Sequence, residues 1–297
     1  MAPNMPLSPL EPPPLVVKLG GSALTHKAVR GSVNAEALAS AAALLAALWQ
    51  AHPHLVVIHG AGSFGHHEAK EAGVHLGRGG AAGVAVTHAA VCRLSGLLVD
   101  AAVAAGVAAV ALPPLALEGA AGGLVHGVHR WLRRGFVPII HGDVHVRGEG
   151  EEWACSIVGG DALAVDLSLA LRPRLVLLLS STAGVYTHPP DHPDARLLPS
   201  LTVSGGSDEY DGSMGGGAVA TTDVAAHDVT GGMGAKVAAA AAAVRARRGS
   251  LRVLFSSISA KDGRWGRGRD PGGRDSGGVE GTWMVFVGEE GEDAQSV

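Results

Sequence analysis

Leu15-Val16-Val17-Lys18-Leu19-Gly20-Gly21-Ser22 is an apolar run that ends in paired glycines. It reads as a strand running into a tight turn. Lys18 stands near the carboxyl end of that strand, where its ammonium can reach an anion held by the turn. The plainer alternative is a surface lysine beside an ordinary turn. Outward from here the same grammar repeats. Leu55 to Ile58, Val107 to Leu112, Phe136-Val137-Pro138-Ile139-Ile140, Leu175 to Leu179, Leu251 to Phe255 and Trp283 to Val287 all read as strands. Continuous apolar runs of this kind suit strands covered on both faces. Between them lie helical stretches at Asn34 to Gln50, Val84 to Ala105, Asp161 to Leu171 and Met233 to Arg248, with Asn34 a plausible N-cap. Strands alternating with helices predict an α/β fold with a mostly parallel sheet and helices on both faces. Such sheets bind ligands at the carboxyl ends of their strands, where this sequence places its glycines.

With 297 residues, 47% of them hydrophobic and 17% charged, the chain can bury a large core and is not a disordered protein. The net charge of −4, without a basic face, argues against nucleic-acid binding. Cys92 and Cys155 give neither a disulfide framework nor metal-ligand spacing, and read as two reduced, buried thiols of a cytoplasmic protein. No apolar run approaches the roughly 20 residues that span a bilayer, so no membrane partner is expected. Residues 1–14 are Pro-rich and read as a disordered leader, and 289–297 as a disordered tail. Residues 261–281, rich in Gly, Arg and Asp, read as a mobile surface loop.

A second glycine turn, His59-Gly60-Ala61-Gly62-Ser63-Phe64-Gly65-His66, follows the second strand. Gly60, Gly62 and Gly65 fit a dinucleotide-binding spacing, but the acidic residue expected about 20 positions on is missing. A P-loop reading fails because His66 occupies the place of its lysine. What survives is a glycine loop leading into a helix start, suited to an anion. His66 falls in the first helical turn, within reach of a bound phosphate; a structural histidine is the alternative. A third turn, Asp228 to Lys236, opens the Ala-rich helix, with Asp228 or Thr230 as its cap. Lys236 near a helix N-terminus is unfavourable to the helix dipole unless an anion lies between them. At Gly159-Gly160-Asp161 the carboxylate is a helix N-cap, an orienter of lysines, or both.

In this order, the segments resemble the amino acid kinase superfamily. Val17 to Ser22 looks like its first-strand signature, and Gly159-Gly160-Asp161 and Gly184-Val185-Tyr186 like two later ones. His59 to His66, His141-Gly142-Asp143-Val144 and Asp228 to Met233 are similar to the isopentenyl phosphate kinase branch. The resemblance implies a three-layer αβα sandwich over 15–288, with an acceptor lobe at about 15–150 and an ATP lobe at about 151–288. It implies transfer of phosphate from ATP to isopentenyl phosphate, with Mg²⁺ carried on the nucleotide, in a homodimer. Lys18, Lys27 and Lys236 would neutralise the transferring phosphoryl group, and Asp161 would hold the lysines. His66, with Gly60, Ala61 and Gly160, would bind the acceptor phosphate. Gly20, Gly21, Ser22, Gly62 and Gly234 would line the ATP phosphates. The strand ending at Ser180-Ser181-Thr182 departs from the usual pattern, since Ser181 stands where an acid or amide is expected to meet ATP. A kinase for another small phosphate or carboxylate acceptor, or a non-catalytic nucleotide-binding module, are the alternative readings.

Overall fold

The structure is a computed structural model that describes residues 7–117, 123–148, 154–204, 210–212, 217–218, 232–258 and 281–287. In chain order the elements are β1 (Leu15–Leu19), α1 (Gly21–Leu24), α2 (Ala35–Ala51), β2 (Leu55–His59), α3 (His66–Glu71), α4 (Gly80–Ala104), β3 (Ala109–Ala111), α5 (Gly123–Leu132), β4 (Val137–His141), β5 (Asp143–Arg147), β6 (Ala154–Val158), α6 (Gly160–Leu171), β7 (Leu175–Ser180), β8 (Ser200–Ser204), β9 (Tyr210–Gly212), β10 (Gly217–Ala218), α7 (Gly232–Ala246), β11 (Arg252–Ser257) and β12 (Thr282–Val287).

Among the described residues one ten-stranded sheet runs β10-β9-β8-β12-β11-β7-β1-β2-β4-β3. The six strands from β11 to β3 are parallel to one another; β12 is antiparallel to β11, with β8 parallel to β12. Side chains alternate across the sheet with a period of two. Val16, Ile58, Ile140, Val176 and Leu178 therefore meet α5, α6 and α7 in one core. Leu15, Val17, Leu19, Val57 and Leu177 meet α2 and α4 in the other. This is the expected αβα sandwich. By the same alternation Lys18 shares the face of Val16, so its ammonium is carried under α6 rather than into solvent.

Three sequence expectations change. Residues 7–14, expected to be disordered, are seated against the domain. Leu10 is buried in the core of α5 and α6, the Ser8 carbonyl lies 2.7 Å from His129 Nε2, and the Pro12 carbonyl 2.7 Å from His54 Nδ1. One buried leucine in a Pro-rich stretch is too small a signal to announce a packed segment. Next, α4 has 25 residues and is apolar and long enough, by length and composition, to cross a membrane. Its Ala and Val content hid this, because no single run is strongly apolar. In the fold its Leu98 and Ala102 pack against Val57, Val107 and Ile139, while Arg93 and Asp100 are exposed. Finally, only Cys155 is buried; Cys92 is half-buried and both thiols are free. The proposed caps Asp228 and Thr230, most of the Gly/Arg segment and the tail lie outside the described residues.

Candidate active site

The parallel register sets Leu19 beside both His59 and Leu179, and His59 beside His141. The residues that follow these strand ends are consequently neighbours. Gly20 N–H donates to the Leu179 carbonyl (2.7 Å), Gly60 N–H to Leu19 (3.0 Å) and Gly142 N–H to His59 (2.9 Å). The first two glycine loops touch backbone to backbone. A Cβ on Gly21 would lie 2.3 Å from the Gly62 nitrogen and 2.8 Å from the Gly60 carbonyl. One on Gly62, whose φ is +55°, would meet the Gly21 carbonyl at 2.6 Å. Glycine is demanded here first by loop-on-loop contact. Gly159 and Gly234, in contrast, have open space where a side chain would project.

Thr25, which the sequence reading passed over, joins the loops: its buried hydroxyl donates to the Gly21 carbonyl (2.9 Å) and accepts from Ser63 N–H (3.0 Å). Ser22 is half-buried within α1. Gly60 and Ala61 are half-buried, and Gly65 hands the chain to α3, whose first residue is His66, itself half-buried.

Lys18 is 4% exposed, and its Nζ stands 2.6 Å from Asp161 Oδ1 on the first turn of α6. The contact is an ion pair by distance, without hydrogen-bond angles at that oxygen. A buried ammonium requires such a partner. The N-cap of α6 is Gly159, so Asp161 is free to serve Lys18 instead of capping. Gly160 lies against the same lysine: its missing Cβ would be 3.4 Å from Lys18 Cε and 3.3 Å from the His59 carbonyl. Asp161 also lines a narrow, open and mostly apolar crevice between α6 and α7, and Lys236 lines it as well. Lys236 Nζ reaches the Gly232 carbonyl at 3.1 Å, within the first turn of its own helix.

Lys27 is exposed on turn 26–32. That turn is fastened to the second glycine loop by Gly31 N–H to Ser63 O (2.9 Å) and Ser63 Oγ to Ser32 O (3.1 Å). Arg30 fastens it to α3, donating to Glu68 (2.8 Å) and to both oxygens of Glu71 (2.9 and 2.8 Å). Ser181 is exposed just beyond β7. Asp161, Lys18, Gly160 and the loops of Gly20, Gly21, Gly60 and Gly62 thus form one knot of successive contacts; Lys236 lines the same crevice as Asp161, and Lys27 and Ser181 are exposed.

A pair of imidazoles beneath the loops carries no role in the sequence reading, although both lie in the quoted motifs. His59 and His141 are fully buried, with ring centroids 5.6 Å apart. Burial first, and then Lys18 for His59 and the neighbouring His59 ring for His141, holds both down at about 4, so they are neutral near pH 7. In the sequence each closes an apolar strand and opens a segment similar to the isopentenyl phosphate kinase branch, with nothing to mark it as a buried pair.

Parallel strands delivering glycine loops, and a buried lysine–aspartate pair beside them, define a phosphotransferase with a sandwich-fold kinase architecture. The chain belongs to the amino acid kinase family, whose family model matches residues 13–254. Among characterised relatives, the isopentenyl phosphate kinase of Methanothermobacter thermautotrophicus is 33% identical over 75% of this chain and 84% of its own. That of Haloferax volcanii is 38% identical over 75% of this chain and 85% of its own. X-ray structures of isopentenyl phosphate kinase superpose with a TM-score of 0.66 at 26% identity, covering 91% of this chain and 99% of theirs. The product complex of the T. acidophilum enzyme, at 22% identity, has the same fold with a TM-score of 0.66 over 91% of this chain and 99% of its own.

Proposed function

We propose that this enzyme transfers the γ-phosphoryl group of ATP to isopentenyl phosphate, giving isopentenyl diphosphate and ADP. The observation that carries the reading is the knot of Lys18, Asp161 and the two interlocked glycine loops, with His66 leaving the second loop at a helix start. The isopentenyl phosphate kinases among its relatives support the choice of acceptor. On this reading residues 15–150 form the acceptor lobe and 151–288 the ATP lobe, and the protein acts as a cytoplasmic homodimer.

The chemistry needs little from the protein beyond position and charge. An oxygen of the acceptor phosphate, already anionic at neutral pH, attacks the γ-phosphorus. The bond from that phosphorus to the β–γ bridging oxygen breaks, and ADP leaves with the electron pair. No strong general base is required. The difficulty is bringing two anions together and stabilising the charge spread over the equatorial oxygens. Lys18, oriented by Asp161, supplies a fixed positive charge where the loops meet. Lys236 supplies a second from α7, and Lys27 a third from its turn beside the second glycine loop. Gly20, Gly21, Ser22, Gly62 and Gly234 cradle the ATP phosphates, and Ser181 takes the place of the usual acid or amide near the nucleotide. Gly60, Ala61, Gly160 and His66 hold the acceptor phosphate, with His66 as a hydrogen-bond donor. Asp161 is taken up by Lys18, so Mg²⁺ fits best as a passenger on the nucleotide phosphates, where it would neutralise charge.

Two measurements test this together. ADP release in the presence of MgATP is compared across isopentenyl phosphate, a nucleoside monophosphate and an acyl amino acid. Isopentenyl phosphate is expected to be the preferred acceptor, and preference for a carboxylate would reject the reading. His66→Ala is expected to lower kcat/KM for the acceptor at least 100-fold while nucleotide affinity stays within about threefold. Equal turnover in that variant removes His66 from the site.

A further inference from the structure

We infer that His88 and Asp143 form a positioning pair that sets the spacing between the two segments assigned above to the acceptor phosphate. This rests on the proposed function of those segments. Neither residue is part of the phosphoryl-transfer machinery itself.

Asp143 opens β5 immediately after Gly142 and is 2% exposed. Its Oδ2 lies 2.8 Å and its Oδ1 3.1 Å from His88 Nδ1, and Oδ1 also accepts the Val144 N–H at 2.8 Å. The carboxylate is buried, with His141 Nδ1 a further 3.7 Å from Oδ2, so its position is dictated by these partners. Through Gly142 it is one residue from the corner of the site. Gly142 N–H holds the His59 carbonyl, and the Cβ direction of Gly142 ends 3.0 Å from the Gly160 nitrogen.

At the other end of the pair, His88 stands on α4, one turn before Val91. Val91 is the surface on which the His66 segment rests: a Cβ on Gly65 would lie 2.5 Å from Val91 Cγ2. The pair therefore ties the Gly142–Gly160 corner to α4, the helix against which Gly65, at the start of the His66 segment, is packed. The other ring nitrogen of His88 faces Cys92 Sγ at 3.4 Å, which keeps the imidazole plane from swinging away from Asp143. Two loops meant to grip one phosphate must hold their separation to a fraction of an ångström. A tie between their supports, anchored on the buried Asp143 carboxylate with His88 half-buried, does that, whereas the loops' own glycines cannot.

Kinetics of the full chain with MgATP and isopentenyl phosphate decide the matter. His88→Leu removes the Nδ1 donor and is expected to raise KM for isopentenyl phosphate about tenfold, leaving KM for ATP within twofold. His88→Asn restores a donor near the Nδ1 position and is expected to recover most of that loss. Should His88→Leu fail to fold, His88→Phe, which keeps the ring, carries the same expectation. Unchanged acceptor KM in the leucine or phenylalanine variant, or equal losses for both substrates unrelieved by asparagine, overturns the inference. If the unmodified protein itself does not turn over isopentenyl phosphate, the function assigned to the site fails instead. Deuterium uptake then decides the pairing: faster exchange in both 62–68 and 141–144 of the leucine variant upholds the tie, and unchanged exchange in either refutes it.

Discussion

Lys18 places an ammonium on the covered face of a central strand, where Asp161 is its ion-pair partner among the described residues. Asp161 is 19% exposed at its side chain, so the pair is partly screened. Asp161→Asn is expected to cost about 2 kcal/mol of stability, since it leaves a buried cation with a weaker partner. It should also lower kcat at least 100-fold, measured by urea unfolding and by steady-state turnover of the same preparation. Gly21→Ala tests the interlocked loops: its methyl would be driven into the Gly62 backbone, and activity should fall further than stability. At this scale the sequence was informative where a residue broke a pattern. Lys18 interrupts an apolar strand, and Asp161 follows paired glycines, so both could be singled out. Thr25 breaks no pattern, because a threonine after a turn is ordinary, and Asp143 was visible only as one member of the His141-to-Val144 segment, without a role. Their importance lies in contacts 38 and 55 residues away. The glycines were found, but their reason was only partly read, since Gly21, Gly60 and Gly62 first make room for one another.

Helices and strands were legible to the extent that each carries its own signal. The buried parallel strands announce themselves as apolar runs, and α2 as an Ala/Leu stretch behind a cap. Asn34 does accept from Ala37 N–H at 3.0 Å. Asn34→Ala should cost about 1 kcal/mol in thermal or urea unfolding with little change in turnover. A loss above about 3 kcal/mol would mean that Asn34 does more than cap. The β5–β6 hairpin was missed because its strands are mixed in burial and separated from the main sheet. α5 was missed because Gly123, Gly127 and two histidines dilute its helical signal. α4 begins at Gly80, four residues before the expected start, since glycines and alanines there carry no apolar periodicity.

For the whole molecule, the buried imidazoles set a pH limit. His59 and His141 titrate at about 4 in the fold, against an ordinary value of 6.5. Both states are neutral above about pH 7, so neither histidine changes stability there. As pH falls below about 6.5 the unfolded chain takes up protons that the folded chain refuses, and stability is lost down to about 4. For His59 alone the loss approaches roughly 3 kcal/mol at the acid end. Urea unfolding at intervals from pH 7.5 to 4.5 should show this decline, and a flat curve would mean that these rings are protonated or solvated in the fold. The architecture itself, a covered parallel sheet with its glycines at the carboxyl ends of its strands, was readable from alternation and composition. The packing of 7–14 was not, because it depends on a groove beside α5 that no local pattern foretells.

The central claim is that this end of the sheet brings ATP and a phosphate monoester together. Phosphorus NMR of the purified protein with MgATP and isopentenyl phosphate tests it without any coupling enzyme. The account predicts that the monoester resonance disappears as the paired signals of a diphosphate grow, with ADP formed in equal amount. ATP consumed to ADP and free phosphate with the monoester untouched, or no change at all in folded protein, would contradict it.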